Sequence, residues 1–357
     1  MHPRAGGAEV YTLEVAKRLV GLGDEVTWFS SSFPGSAPNE DMEGIQITRA
    51  GTILSVFREA RKFMRDQIDR FPPDVVIDEV NTRPFNPRTY LPRGIPVCNL
   101  VHQLAREVWF YETPLPIALL GRYVLENRWL KSIRNLPTLA MSESTSRDLL
   151  ELGFTSVSLP RTGLSSHPPL NLQAKTSPPL IVMICRLSKG KRPRDALDAF
   201  RILRDKIACE LVVIGTGPLE ARLRKKYSEV TFAGHTDDAT REAILAKATL
   251  MLAPGTREGW GRVVLEAQAH GTVPIVYDIP GLRDAVDFGR AGILAKSNSA
   301  LGLADATLEI LRDSRLLSSF QKACYNWSTL FDWDSTTRSF RRFLEDVRTG
   351  WKDAVPT

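Results

Sequence analysis

Short β-branched runs alternate with longer amphipathic stretches along almost the whole chain, and this alternation limits its fold more than any other feature. In the first half the candidate strands lie at 25–30, 45–49, 74–78, 96–101, 137–141 and 156–159. Helical patterns fill 8–21, 53–71, 117–134 and 144–152, the last closing on Gly153. Residues 160–180 carry paired prolines with Ser, Thr and Gly, and such a stretch continues neither element. The pattern then restarts, with strands at 180–185, 210–214, 229–233, 249–253, 273–277 and 292–295 and helices between them. Residues 298–351 read as mostly helical. Strands separated by helices build parallel sheets from βαβ units. A chain of 357 residues has room for two such domains.

The expected architecture is therefore α/β, with two Rossmann-like, doubly wound domains facing across a cleft. The first spans 1–165 and the second 175–334. In such sheets ligands bind beyond the carboxyl ends of the strands. One feature departs from the pattern. A doubly wound domain opens with a central strand, yet only six residues precede Gly7, and Pro3 is among them. The expectation is that the first strand and its turn, about 10 residues, are missing.

Composition removes several classes. Hydrophobic residues make up 43% and charged residues 25%, which is ordinary for a globular protein and unlike a disordered chain. No apolar run approaches the ~20 residues of a membrane span, and the first residues lack the apolar core of a signal peptide. Cys98, Cys185, Cys209 and Cys324 form no CxxC pair and read as reduced thiols of a cytoplasmic protein. The net charge of +6 lies entirely beyond residue 164, where 28 basic residues face 22 acidic ones. That excess is either a solvated surface or the footprint of an anionic ligand. Nucleic acid is not expected, because no basic-aromatic stretch and no densely basic helix face is present.

The most informative stretch is 249–274. A buried strand ends at Pro254-Gly255, a loop carries Glu258, and a helix beginning near Gly261 carries Glu266. The amides of Gly261, Arg262 and Val263 at that helix start suit a phosphate. Flanking carboxylates suit sugar hydroxyls. Read blandly, both glutamates are surface residues. In 181–193, Arg186 and Lys191 lie five apart in a strand-to-helix loop, where two cations suit a diphosphate; an exposed basic loop is the competing reading. Gly215-Thr216-Gly217-Pro218 is either a phosphate or ribose cradle or an ordinary tight turn. His102, at the carboxyl end of a buried strand, is placed to touch a sugar hydroxyl or to be a structural histidine. Gly6-Gly7-Ala8-Glu9 fits a glycine loop over phosphates, although it is not GxGxxG.

Other motifs are set aside. Asp332-Trp333-Asp334 spells DxD but sits just before a helix at about 335, where Asp334 suits an N-cap. The five histidines are scattered, so no metal site is expected. Neither GxSxG nor a P-loop occurs. The basic amphipathic stretch 54–70 reads as a helix covering the sheet, with membrane contact as the alternative. Residues 109–133, with Trp109, Phe110, Tyr111, Trp129 and several leucines, read as packing, an acceptor groove or a lipid-touching surface.

Taken in order, these residues resemble the retaining GT-B glycosyltransferases of family four. Gly6-Gly7-Ala8-Glu9 is similar to the amino-terminal glycine loop and His102 to the cleft histidine of that family. Ser142 to Gly153 is similar to the segment closing its first domain. Arg186 and Lys191 resemble its RLxxxKG pair, with Arg-Pro after Lys191 in place of Gly. Glu258 and Glu266 resemble its E-x7-E signature, followed by Gly271 and Pro274. The resemblance implies that Glu258 holds donor-sugar hydroxyls and Glu266 the ribose. Arg186 and Lys191 neutralise the departing diphosphate, Gly7 and the 261–263 amides contact phosphates, and His102 contacts the sugar. It also implies a UDP- or GDP-sugar donor, a glycan, lipid-linked or small-molecule acceptor, no metal, and a last helix, 335–351, returning to the first domain. Peripheral membrane contact at the inner face of the cell membrane fits a lipid-linked acceptor. The rival expectations are a non-catalytic nucleotide-sugar-binding subunit with a truncated first domain and, within the fold, an epimerase or a phosphorylase.

Overall fold

The computed structural model describes residues 5–164 and 168–351. Residues 1–4 and the linker positions 165–167 lie outside the described residues, and the described remainder of 159–179 carries neither helix nor strand.

The chain runs α1 (Gly7–Gly21), β1 (Thr27–Ser30), β2 (Asn39–Met42), β3 (Ile45–Arg49), α2 (Val56–Ile68), β4 (Val76–Val80) and β5 (Val97–Val101). Two short helices follow, α3 (Trp109–Glu112) and α4 (Leu115–Leu120). A π-turn at Gly121–Leu125 then leads into α5 (Glu126–Ile133), β6 (Thr138–Ala140), α6 (Glu143–Glu151) and β7 (Val157–Ser158). Beyond the linker come β8 (Leu180–Ile184), α7 (Pro193–Arg204), β9 (Glu210–Ile214), α8 (Glu220–Lys226), β10 (Thr231–Gly234), α9 (Asp238–Lys247), β11 (Leu250–Ala253), α10 (Arg262–Ala269), β12 (Val273–Val276), α11 (Leu282–Ala285) and β13 (Ile293–Leu294). The chain ends in α12 (Ala300–Arg312), α13 (Ser314–Ser328) and α14 (Trp333–Gly350).

These elements divide into two compact units. The first holds the chain up to Leu104, Val124–Gly163 and the chain from Asp332 onward; the second holds Ala105–Tyr123 and Leu164–Phe331. The final helix thus belongs to the first unit. Tyr11, Val15 and Leu19 of α1 share a buried cluster with Trp333 and Phe340 of α14. The segment 105–123 differs from the expected boundary at 165, because it packs with the second unit. The carboxylate of Glu107 meets Arg257 at 3.2 Å, a pairing between residues 150 positions apart that no local pattern announces.

In the first unit, β4-β5-β6-β7 is a parallel sheet, and β1-β3-β2 forms a second sheet in which β2 runs antiparallel to β3. Among the described residues α1 is the first element, and it serves both sheets. Its Tyr11, Val15 and Leu19 pack toward Leu100 and Leu139, and its Leu13 and Ala16 toward Ile45 and Ile47. The DxD motif resolves into a helix start that lies two residues earlier than expected. Asp332, not Asp334, is the N-cap and accepts the Ser335 N–H at 2.7 Å, while Asp334 pairs with Arg18 at 2.9 Å.

Asp78 on β4 carries a testable consequence. It is buried, and its two carboxylate oxygens accept the backbone N–H groups of Phe85 at 3.0 Å and Asn86 at 2.7 Å. Burial pushes the carboxyl from 3.8 up to about 6 despite those two bonds. The folded state therefore holds this proton more tightly than the unfolded chain. Its contribution favours folding fully below about pH 4 and is lost as the pH rises through about 6, by about 3 kcal/mol in all. Asp78→Asn is expected to remove that component from the pH dependence of urea unfolding. An unchanged slope between pH 4 and 7 would show that Asp78 is not its source.

In the second unit a six-stranded parallel sheet has the order β10-β9-β8-β11-β12-β13. Every residue of β8 and β12 is buried, which is why both read as unbroken apolar runs and not as alternating ones. The chain moves outward from β8 through β9 to β10, then returns to place β11 on the other side of β8. That reversal creates a crevice beyond the carboxyl ends of β8 and β11.

Candidate active site

Three loops of the second unit meet at this switch point. The loop after β8 carries Arg186 and a single 3-10 turn, Lys189–Lys191. The loop after β11 carries Thr256, Arg257 and Glu258, and the loop after β12 carries Pro280-Gly281. The Thr256 amide donates to the Gly190 carbonyl at 2.9 Å, and the Glu258 amide donates to the Pro280 carbonyl at 3.2 Å. These two bonds fix the backbone on both sides of Glu258, and the Lys191 ammonium then closes directly onto the Glu258 carboxylate. Burial opposes the charge on Lys191. The attraction of Glu258, reinforced by Glu112, outweighs it and holds the ammonium above its ordinary pKa. The Arg186 side chain is exposed in the same loop.

α10 begins at Gly261, which is buried and adopts φ 84°, ψ 49° as the N-cap. Arg262 and Val263 occupy the first turn, whose amides have no acceptor within the helix. Glu266 lies one turn on, nearly buried. Burial pushes its carboxyl up, and Arg241 and Arg262 oppose that shift. Arg241 Nε stands 2.9 Å from Glu266 Oε2, an ion contact without hydrogen-bond alignment. That carboxylate oxygen is therefore electrostatically held but still able to accept a hydroxyl.

Gly215 and Gly217 sit in a tightly packed turn after β9. The Gly215 amide donates to Gly234 O at 2.7 Å. A Cβ on Gly215 would stand 2.1 Å from Cys185 O, and one on Gly217 2.6 Å from Leu187 O. The turn is glycine-rich because it lies against the 185–187 backbone, which is the tight-turn reading of this motif.

In the first unit His102 follows β5. It is buried, and its Nε2 lies 2.7 Å from Glu79 Oε1. The same oxygen accepts the Thr12 hydroxyl at 2.7 Å, and the Tyr11 ring stands edge-on to the imidazole at 6.0 Å. Glu79 is a partner that sequence reasoning missed. The only signal was its position opposite Leu100 in the neighbouring strand. At the start of α1, Gly6 is the N-cap, and its amide donates to Glu9 Oε2 at 2.8 Å. Gly7, the residue expected to contact phosphate, is the exposed first residue of the helix.

Two family models match the chain in register with these units. The model described as Glycosyltransferase Family 4 matches residues 5–159, and the one described as Glycosyl transferases group 1 matches 171–327. The chain belongs to the GT-B glycosyltransferases of family four. Among curated proteins it is 26% identical over 228 residues to glycogen synthase of Mycobacterium tuberculosis, a match covering 60% of this chain and 55% of that protein. The chain thus spans about half the length of the curated relatives it matches. Sucrose-phosphate synthase from Thermosynechococcus elongatus shares the fold with a TM-score of 0.78 at 16% identity, covering 97% of this chain and 94% of the other. Anabaena Alr3699/HepE, solved in complex with UDP and glucose, does so with a TM-score of 0.68 at 16% identity, covering 95% and 96%.

Proposed function

We propose that this chain transfers a hexose from a UDP- or GDP-sugar to a glycan, lipid-linked or small-molecule acceptor with retention of anomeric configuration. The observation carrying this reading is the convergence of Lys191 and Glu258 at the switch point, just ahead of the α10 N-terminus and Glu266. A free cation–carboxylate pair of this kind is a donor site at rest. When a nucleoside-diphosphate sugar enters, its diphosphate takes the ammonium of Lys191 and the amides of 261–263. The released Glu258 carboxylate accepts hydroxyls of the sugar, and Glu266 accepts those of the ribose. As the anomeric carbon–oxygen bond breaks, charge collects on the diphosphate, where Lys191 and Arg186 stabilise it. The departing phosphate oxygen takes the acceptor's proton on the same face, so no carboxylate nucleophile is needed. His102, held by Glu79, contacts the sugar. The reading requires no metal. The glycogen synthase relative and a structural neighbour solved in complex with UDP and glucose support it.

The test is binding and slow hydrolysis across a panel of UDP- and GDP-sugars, with Glu258→Ala as control. One donor hydrolysed by the native chain and spared by the variant supports transfer. Binding without hydrolysis, with or without acceptors, supports a non-catalytic nucleotide-sugar-binding subunit. A folded protein that binds no nucleotide sugar refutes both.

A further inference from the structure

We propose that Arg192 is a positioning residue: held between the Asp195 carboxylate and the Tyr277 ring, it aims the adjacent Lys191 at Glu258 and, once a donor is bound, at the diphosphate; the step to the diphosphate rests on the transferase reading. The backbone at Arg192 is an outlier. It adopts φ 48° and ψ 44°, in the left-handed region where a Cβ is penalised and glycine is the ordinary occupant. Such a conformation persists only where the surroundings impose it, and the side chain shows what imposes it here. Arg192 Nη2 lies 2.6 Å from Asp195 Oδ2, and the guanidinium sits over the Tyr277 ring, 4.8 Å from its centre. Tyr277 is fully buried, and its hydroxyl donates to the same Asp195 oxygen at 2.6 Å. Burial, reinforced by that carboxylate, pushes the phenol well above its ordinary pKa, so it stays a donor.

These three side chains reach both halves of the Lys191–Glu258 pair. On one side, Arg192 closes the 3-10 turn that carries Lys191, its amide donating to the Lys189 carbonyl at 3.1 Å. Asp195 lies in the first turn of α7, which buried Ala196, Leu197 and Phe200 fix against the core. The guanidinium therefore ties the Lys191 turn to a rigid helix. On the other side, Tyr277 directly follows β12, and its carbonyl accepts the Ile279 amide at 2.9 Å. The Pro280 carbonyl, next in the chain, accepts the Glu258 amide. One buried ring thus sets the spacing between the cation and the carboxylate. Gly190 is held separately by the Thr256 amide, so without the Arg192 side chain the Lys191 turn is pinned at that end alone. Arginine suits this place because its planar group can face a ring and a carboxylate at once, which neither glycine nor lysine does as well.

The test is Arg192→Gly in the full chain, with Tyr277→Phe as a second variant that keeps the buried ring and loses only the hydroxyl. Glycine relieves the backbone penalty at this position, so a role confined to local folding predicts no loss. Two readouts are taken. The first is the rate at which an amine-acetylating reagent modifies Lys191, followed by peptide mass spectrometry without any donor. Lys175, buried under four hydrogen bonds in the same unit, is the internal control. The second is kcat and KM with the preferred donor. Arg192→Gly is expected to let Lys191 react severalfold faster while Lys175 is unchanged, and to lower kcat by about tenfold or more with a smaller effect on KM. Tyr277→Phe is expected to shift both readouts in the same direction by less. Unchanged Lys191 acetylation in Arg192→Gly would overturn the proposal. So would acetylation of Lys175 rising in step, which would mean general loosening, or faster Lys191 acetylation with native kcat. A native chain that turns over no donor would refute the transferase reading instead, and the acetylation rates would still decide whether Arg192 holds Lys191.

Discussion

Lys191→Ala is expected to lower turnover with the preferred donor by about 10²–10³, the effect of removing one fixed donor from a developing oxyanion. Two losses combine. The diphosphate loses its cation as it departs, and Glu258 loses the partner that holds its carboxylate in place before the donor arrives. The double variant Lys191→Ala, Glu258→Ala is therefore expected to cost much less than the product of the single effects, because the two side chains act as a pair. Arg186→Ala tests the exposed cation of the same loop and is expected to fall in the same range or below it. The measurement is kcat for transfer or donor hydrolysis. A loss under about threefold for Lys191→Ala would remove it from the catalytic role.

What was legible in the sequence followed from burial. β8 and β12 are enclosed on both faces, so Leu180–Ile184 and Val273–Val276 are continuous apolar runs readable without a structure. β2, with the sequence NEDM, is an exposed antiparallel strand defined by its pairing with β3 and by no side-chain pattern, and it was missed. The helical signal across 117–134 was correct in kind. Its interruption by a π-turn at Gly121–Leu125, where Gly121 lies close against the Trp109 ring, was not visible, because no local pattern marks it. Glu258, Lys191 and Glu266 could be singled out in the sequence by residue type and spacing, although a bland surface reading of the same residues stayed open there. Their geometry was not legible. The Lys191–Glu258 contact joins residues 67 apart and depends on Thr256 and Gly190 forming a backbone bond. Gly215 and Gly217 show that close packing on Cys185 and Leu187 by itself demands glycine at both positions of a motif also suggestive of phosphate binding.

The same reasoning singles out Gly281, which no sequence motif marks. It precedes α11 with φ 83° and ψ −45°, a backbone conformation outside the regions open to residues with a Cβ. A Cβ there would stand 2.1 Å from the carbonyl oxygen of Glu258 and 2.6 Å from its carbonyl carbon. The obstacle is backbone and not the end of a flexible side chain, so the Glu258 loop or the start of α11 must shift. Strain and overpacking together set the expected cost of Gly281→Ala at about 3 kcal/mol or more. The shift moves Glu258 away from Lys191 and breaks the hydrogen bond that its amide donates to the Pro280 carbonyl. The variant is therefore expected to show a lower Tm together with donor affinity and turnover reduced toward those of Glu258→Ala. Gly289→Ala is the matched control: it also has a positive φ, 95°, but its Cβ would meet only the end of Leu294, at 3.8 Å. It is expected to lower Tm modestly and leave donor binding intact. Equal loss of donor binding in both variants would mean that general destabilisation is responsible, and that the Gly281 contact does not set the position of Glu258.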